Sequence, residues 1–156
     1  MYPFPYIEFL AHFHGTRDYF ECHEVLEDYW KKVEPGKRDS VWVLLIQFAV
    51  SLYHYRRGNS KGGIILIQKS LNKLPANRKA LSSIGINVNE FQNLMLAVKK
   101  RMEADEAYES VSIPINVPAL KEEVKALCMS WEVSFESSSD LTDEKLVHRH
   151  KKHNRT

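Results

Sequence analysis

Between Val41 and Tyr55 the chain runs Val-Trp-Val-Leu-Leu-Ile-Gln-Phe-Ala-Val-Ser-Leu-Tyr-His-Tyr, and its only polar side chains are Gln47, Ser51 and His54. A helix that is apolar almost all the way round must be covered on several sides, so this segment has to be the centre of a bundle. It is too short, and too soon followed by Arg56 and Arg57, to span a membrane. The three polar residues are spaced i, i+4 and i+7, which aligns them as one stripe on an otherwise apolar cylinder. Such a stripe calls for a polar counterpart on a neighbouring helix.

The counterpart is found one helix earlier. Tyr19-Phe20-Glu21-Cys22-His23-Glu24-Val25-Leu26-Glu27-Asp28-Tyr29-Trp30 carries a His-Glu-x-x-Glu set among aromatics. At about 100° per residue, His23 and Glu27 complete an arc otherwise formed by Tyr29, Cys22, Val33, Leu26, Tyr19 and Trp30. Phe20 and Trp30 flank the pair. Glu24 falls at the rim, while Glu21, Asp28 and Lys32 point toward water. Four residues apart, His23 and Glu27 are side-chain neighbours, and the carboxylate would orient the imidazole. The expectation is that this helix packs against 41–55 with the two stripes facing across a shared pocket. Gln47 and Ser51 would then hydrogen-bond His23 or Glu27, Arg57 would bring a cation to the mouth, and Arg56 would face solvent.

Three chemistries fit that arrangement. The pair can satisfy itself as a buried polar network. It can act as a metal-free acid/base site. It can also hold a divalent metal, with His23 and Glu27 as ligands on one helix face and His54 as the third, because His-Glu-x-x-Glu is similar to the zincin His-Glu-x-x-His helix with Glu27 replacing the second His. No cofactor other than such a metal is suggested. Gly62-Gly63 does not match a phosphate-binding loop, and no nucleophile motif is present.

The remainder reads as nearly all helix, with no strand pattern and no repeat of fixed period. The stops and caps predict helices over 6–14, ending at Gly15, and over 16–33, ending at Glu34-Pro35-Gly36. A third runs from Ser40 as N-cap to Arg57, and a fourth to Leu74, where Pro75 should stop it. A short piece over 78–83, a long helix over 90–109, an extended linker over 111–118 and a last helix to about 131 complete the reading. The fold class is therefore all-α, a compact bundle of five to six helices around a central apolar one. Residues 1–132 form a single helical domain. Residues 133–156 read as a polar, basic tail, with five Lys or Arg against three Asp or Glu over 139–156. A body that nets to zero offers no basic face, which argues against nucleic-acid binding, and His148, His150 and His153 could chelate stray metal. The start, Met1-Tyr2-Pro3-Phe4-Pro5, lacks a secretory leader, and two cysteines make neither a disulfide framework nor a zinc-finger spacing, so a cytoplasmic setting is expected.

Phe20-Glu21-x-His23-Glu24-x-Leu26-Glu27-x-x-Trp30 resembles the signature of the helical family called domain of unknown function 309. Leu45-Ile46-Gln47, Tyr53-His54-x-x-Arg57-Gly58-Asn59 and Lys69-Ser70-Leu71 extend the resemblance, which covers roughly residues 10–96. It implies a compact all-α fold and no established activity. It singles out Glu21, His23, Glu24, Glu27, Trp30, Gln47, His54 and Asn59, including the Glu21 that the helical wheel turns to solvent. Function then divides into two classes. One is a module binding a protein partner or small ligand in the pocket lined by these residues with Ser51 and Arg57. The other is a hydrolase, metal-dependent or acid/base, using His23, Glu24 or Glu27, and His54. Self-association through Tyr2, Phe4, Tyr6 and Phe9 is compatible with both.

Overall fold

A computed structural model of the chain describes residues 2–143 and 146–148. Among the described residues six α-helices follow one another up to residue 130: α1 (Phe4–Ala11), α2 (Tyr19–Val33), α3 (Val41–Arg56), α4 (Ser60–Ser83), α5 (Val88–Glu103) and α6 (Pro118–Ser130). The chain is all-α; an isolated antiparallel bridge between Ile86 and Ile115 is the one β pairing among the described residues. Each of α1 to α5 packs on its neighbour in sequence, and α6 returns to α1. Among the described residues no helix is long and apolar enough to cross a membrane.

The central position of α3 follows from its composition. Leu44, Leu45, Phe48, Ala49 and Leu52 are fully buried, with α2 on one side and α4 on the other. Phe48 meets Phe91 of α5 edge-on at 5.1 Å between ring centroids and stacks on Phe13 at 5.7 Å. Side-chain caps start four of the helices: Asp18 accepts from the Glu21 N–H, Ser40 from Trp42, Asn59 from Gly62 and Asn87 from Glu90. Ser40 also donates to the Glu34 carboxylate at 2.7 Å, tying the end of α2 to the start of α3.

The expected helices over 6–14 and 16–33 are shifted. The first α-helix ends at Ala11 and continues as a π-turn over His12–Thr16, and Arg17 at φ 58° reverses the chain before Asp18 caps α2. Gly15 lies against α6 here, since a Cβ on it would sit 2.8 Å from the Cys128 Sγ. Pro75 does not stop the fourth helix as expected. It is exposed inside α4, and the core stripe of Leu74, Asn77 and Leu81 runs on past it. Asn77 donates to both the Lys73 and Asp39 carbonyls, fastening the helix beyond the proline. The predicted separate piece over 78–83 is thus the end of α4, and the helix expected over 90–109 stops at Glu103.

Two further expectations are overturned by packing. Tyr6 and Phe9, proposed as a surface for self-association, are fully buried, Tyr6 donating its hydroxyl to the Ile84 carbonyl; only Phe4 of that set is exposed. Arg56, expected in solvent, is buried. Segment 133–139 of the predicted tail lies on the body. Phe135 stacks on His14, and the Ser137 N–H donates to the His14 carbonyl. Lys145, Arg149, His150, Lys151, Lys152, His153 and Arg155, which carry the tail's basic and most of its histidine character, lie outside the described residues.

Candidate functional site

Helices α2 and α3 pack side by side, and a cavity of about 180 Å³ opens between them. It is lined by Tyr19, Phe20 and His23 from α2 and by Val50, Tyr53 and His54 from α3. His23 and His54, from the two predicted stripes, therefore do meet at one pocket. The walls are aromatic and aliphatic, with the two imidazoles and the tyrosine phenols as their polar groups.

His23 is held from its own helix. Its Nε2 lies 2.6 Å from the Glu27 carboxylate, whose other oxygen is 3.0 Å from Lys31 Nζ. Its Nδ1 is 3.7 Å from Glu24, an exposed rim residue, and its ring meets Phe20 edge-on. Burial works to raise the Glu27 carboxyl, but the Lys31 hydrogen bond and the nearby His23 and Lys31 charges outweigh it and hold the group below the ordinary glutamate value.

His54 is held from the α3–α4 turn. Arg57 Nη2 and Asn59 Nδ2 lie 3.3 Å and 3.4 Å from its Nδ1. Both neighbours are donors, so Nδ1 is the acceptor and the proton of the neutral ring resides on Nε2. Asn59 has a second role as the N-cap of α4. The Arg57 guanidinium sits 5.8 Å from the centroid of the Tyr53 ring, at the edge of the pocket.

The expected network does not close through Gln47 and Ser51. Neither bonds His23 or Glu27; Gln47 Oε1 and Ser51 Oγ are buried without a partner among the described residues. Ser51 lies where α3 meets α4, since its carbonyl is 3.0 Å from the place a Gly63 Cβ would occupy. The stripe of Gln47, Ser51 and His54 thus straddles two interfaces, and only His54 reaches the pocket. Trp30 lies away from it too, donating its indole N–H to the Lys37 carbonyl and bracing the α2–α3 loop. Glu21 is half-buried rather than solvated, beside the Asp18 cap, and does not line the cavity.

Three carboxylate or imidazole ligands are not gathered anywhere among the described residues in a way that would hold a metal ion. In the suggested set of His23, Glu27 and His54, the Glu27 carboxylate already spans His23 and Lys31. The side chains in this arrangement do not fit a three-ligand metal centre.

Sequence reasoning missed Phe20, Val50 and Tyr53 as walls of the pocket. The signal was present for two of them, Phe20 at i−3 to His23 and Val50 at i−4 to His54, spacings that place apolar side chains beside each imidazole, whereas Tyr53, adjacent in sequence to His54, carries no such signal.

Comparison with known proteins adds family and no activity. Residues 6–66 match the family model "Domain of unknown function (DUF309)". The chain is 40% identical, over all 156 residues and 90% of the relative's length, to the uncharacterised protein YpuF of Bacillus subtilis (strain 168). No solved structure matches it.

Proposed function

The chain belongs to the DUF309 family, and from that premise we propose that it is a binding module whose α2–α3 pocket receives an apolar or aromatic group of a small ligand or a partner protein. One observation carries the reading: a cavity walled by Tyr19, Phe20, Val50 and Tyr53, with His23 and His54 at its sides. Burying one ring-sized group there removes apolar surface on both partners at about 25 cal/mol per Å². The imidazoles and Arg57 supply polar contacts that orient whatever enters. Catalysis is the weaker reading because the groups that would perform it are engaged elsewhere. Glu27 is shared by His23 and Lys31, and Glu24 stands at the exposed rim.

The test is a screen of fluorinated aromatic fragments followed by NMR. Binders should shift the signals of Tyr53, His54 and Val50 and be excluded by Val50→Trp, which fills the cavity. Fragments that leave those signals unmoved, or that bind Val50→Trp equally well, would sink the proposal.

A second reading rests on the 2.6 Å His23–Glu27 pair. A carboxylate-oriented imidazole beside a cavity is the arrangement of a general base. Ester hydrolysis lost in both His23→Ala and Glu27→Gln, with a bell-shaped or sigmoid pH profile, would favour it over simple binding.

A further inference from the structure

Arg56, the last residue of α3, is 7% exposed, and Arg17 is 2% exposed. Arg17 Nε donates to the Ser137 carbonyl at 2.7 Å, and its Nη1 to that of Val111 at 2.5 Å. Arg56 Nη1 donates to the Arg17 carbonyl at 2.6 Å and to the Ser139 hydroxyl at 3.3 Å, and Nη2 donates to the Leu146 carbonyl at 3.0 Å. Its Nε is buried without a partner. Every one of these acceptors is neutral, and among the described residues neither arginine forms an ion pair. The Tyr19 ring, 4.4 Å below the Arg56 guanidinium, offsets part of the cost as a cation–π contact. Its phenol does not supply an anion, since burial pushes its ionisation well up. Among the described residues these two buried cations meet no counter-charge, which is costly, and a bound anion would offset that cost.

Room for one lies alongside. An open cavity of about 380 Å³ is lined by Tyr108, Glu109, Ser110, Ser138, Ser139 and Leu141. Three hydroxyls converge on it: Tyr108 lies 2.8 Å from Ser139 and 3.3 Å from Ser110, and Ser110 lies 3.2 Å from Ser139. Ser139 ties this group to the Arg56 guanidinium.

We propose that this cavity is a second ligand site, taking one small tetrahedral oxyanion of the phosphate class against the Tyr108, Ser110 and Ser139 hydroxyls that line it, with Arg56 behind Ser139 as the countercharge. Hydroxyl protons rotate, so groups that now bond one another can turn to donate to an anion. The Glu109 carboxylate also lines the cavity and opposes an anion. It is exposed, and Arg101 Nη2 stands 3.7 Å from it. Ser138 and Ser139 come from the C-terminal segment and Tyr108 and Ser110 from the stretch after α5, so a bound anion would also fasten that segment to the body.

Calorimetry and ³¹P NMR with inorganic phosphate on the full chain, at matched ionic strength against chloride, test the site. Saturable one-to-one binding is expected, with Ser139 and Ser110 amide shifts. Ser110→Ala and Ser139→Ala should each weaken it about tenfold, and Glu109→Gln should tighten it about threefold. The exposed Glu109→Gln decides the matter even where a serine variant folds poorly. Absence of saturable binding, or binding indifferent to Glu109→Gln and the serine variants, overturns the proposal, the latter as an adventitious ion only.

Discussion

His23 Nε2 and the Glu27 carboxylate meet at 2.6 Å one turn apart on α2, and Lys31 extends the pair by a further turn at 3.0 Å. The line His23–Glu27–Lys31 is an i, i+4, i+8 ladder that lies half in water, the Glu27 side chain being 35% exposed. Its value to stability is accordingly small, and what it fixes is orientation: it holds the His23 ring beside an apolar cavity.

The ladder sets the ionisation of its middle member. Carboxyl-carbon NMR should find Glu27 titrating below an ordinary glutamate, because the Lys31 bond and the His23 and Lys31 charges outweigh its partial burial. In Lys31→Ala the midpoint should rise, with a stability loss below about 1 kcal/mol. A Glu27 midpoint unmoved by that change would show that the Lys31 contact does not exist in solution.

His14 makes stability depend on pH. Its Nδ1 bonds the Leu10 carbonyl at 2.8 Å and its Nε2 accepts from the Ile113 N–H at 2.9 Å, so the neutral ring is satisfied at both nitrogens. Burial is the main force lowering its pKa from 6.5 to about 4. The unfolded chain therefore binds the proton more readily, and the stability His14 contributes is complete above about pH 6.5 and drains away as pH falls to about 4. The full effect is about 3 kcal/mol. Chemical denaturation of wild type and His14→Phe should differ in slope between pH 6.5 and 4, and equal slopes would refute the assignment.

Gly63 lets α4 lie close against α3. A Cβ there would meet Met102 Sδ at 2.5 Å and the Ser51 carbonyl at 3.0 Å, and the latter is backbone inside a buried helix. Gly63→Ala should cost about 1–3 kcal/mol in denaturant unfolding, despite alanine's better helix propensity. A stabilised variant would mean the two helices stand farther apart.

Pro75→Ala should act in the opposite direction. Exposed inside α4, Pro75 withholds an N–H from the helix ladder. Restoring it should raise the midpoint of thermal unfolding by an amount corresponding to about 1 kcal/mol. An unchanged or lower midpoint would show that the proline's stiffening of the unfolded chain outweighs the missing bond.

Metal content is the remaining check on the His-Glu-x-x-Glu helix. Elemental mass spectrometry of tag-free protein should give the same metal content in wild type, His23→Ala and His54→Ala, because among the described residues no third ligand is assembled beside the His23–Glu27 pair. Loss of a stoichiometric metal in either variant would reinstate a metal centre.

Local chemistry settled a good deal in advance. The apolar run at 41–55 could only be a central helix, the four-residue spacing of His23 and Glu27 could only make them neighbours, and Ser40 could be read as a cap. Those features depend on residues within one or two turns. Tertiary structure decided what depends on which neighbour arrives. Ser51 and His54 share a stripe, yet α4 covers one and the pocket exposes the other, because α2 and α4 pack on different sides of α3 and divide its circumference. Pro75 punctuates a helix locally, but the continuous burial of Leu74 and Leu81 carries α4 through it. Arg56 reads as a solvated charge at a helix end, and only the arrival of Arg17 and the C-terminal segment turns it into a buried one. A long-range contact is made by groups distant in sequence, and no periodicity along the chain encodes where they will converge.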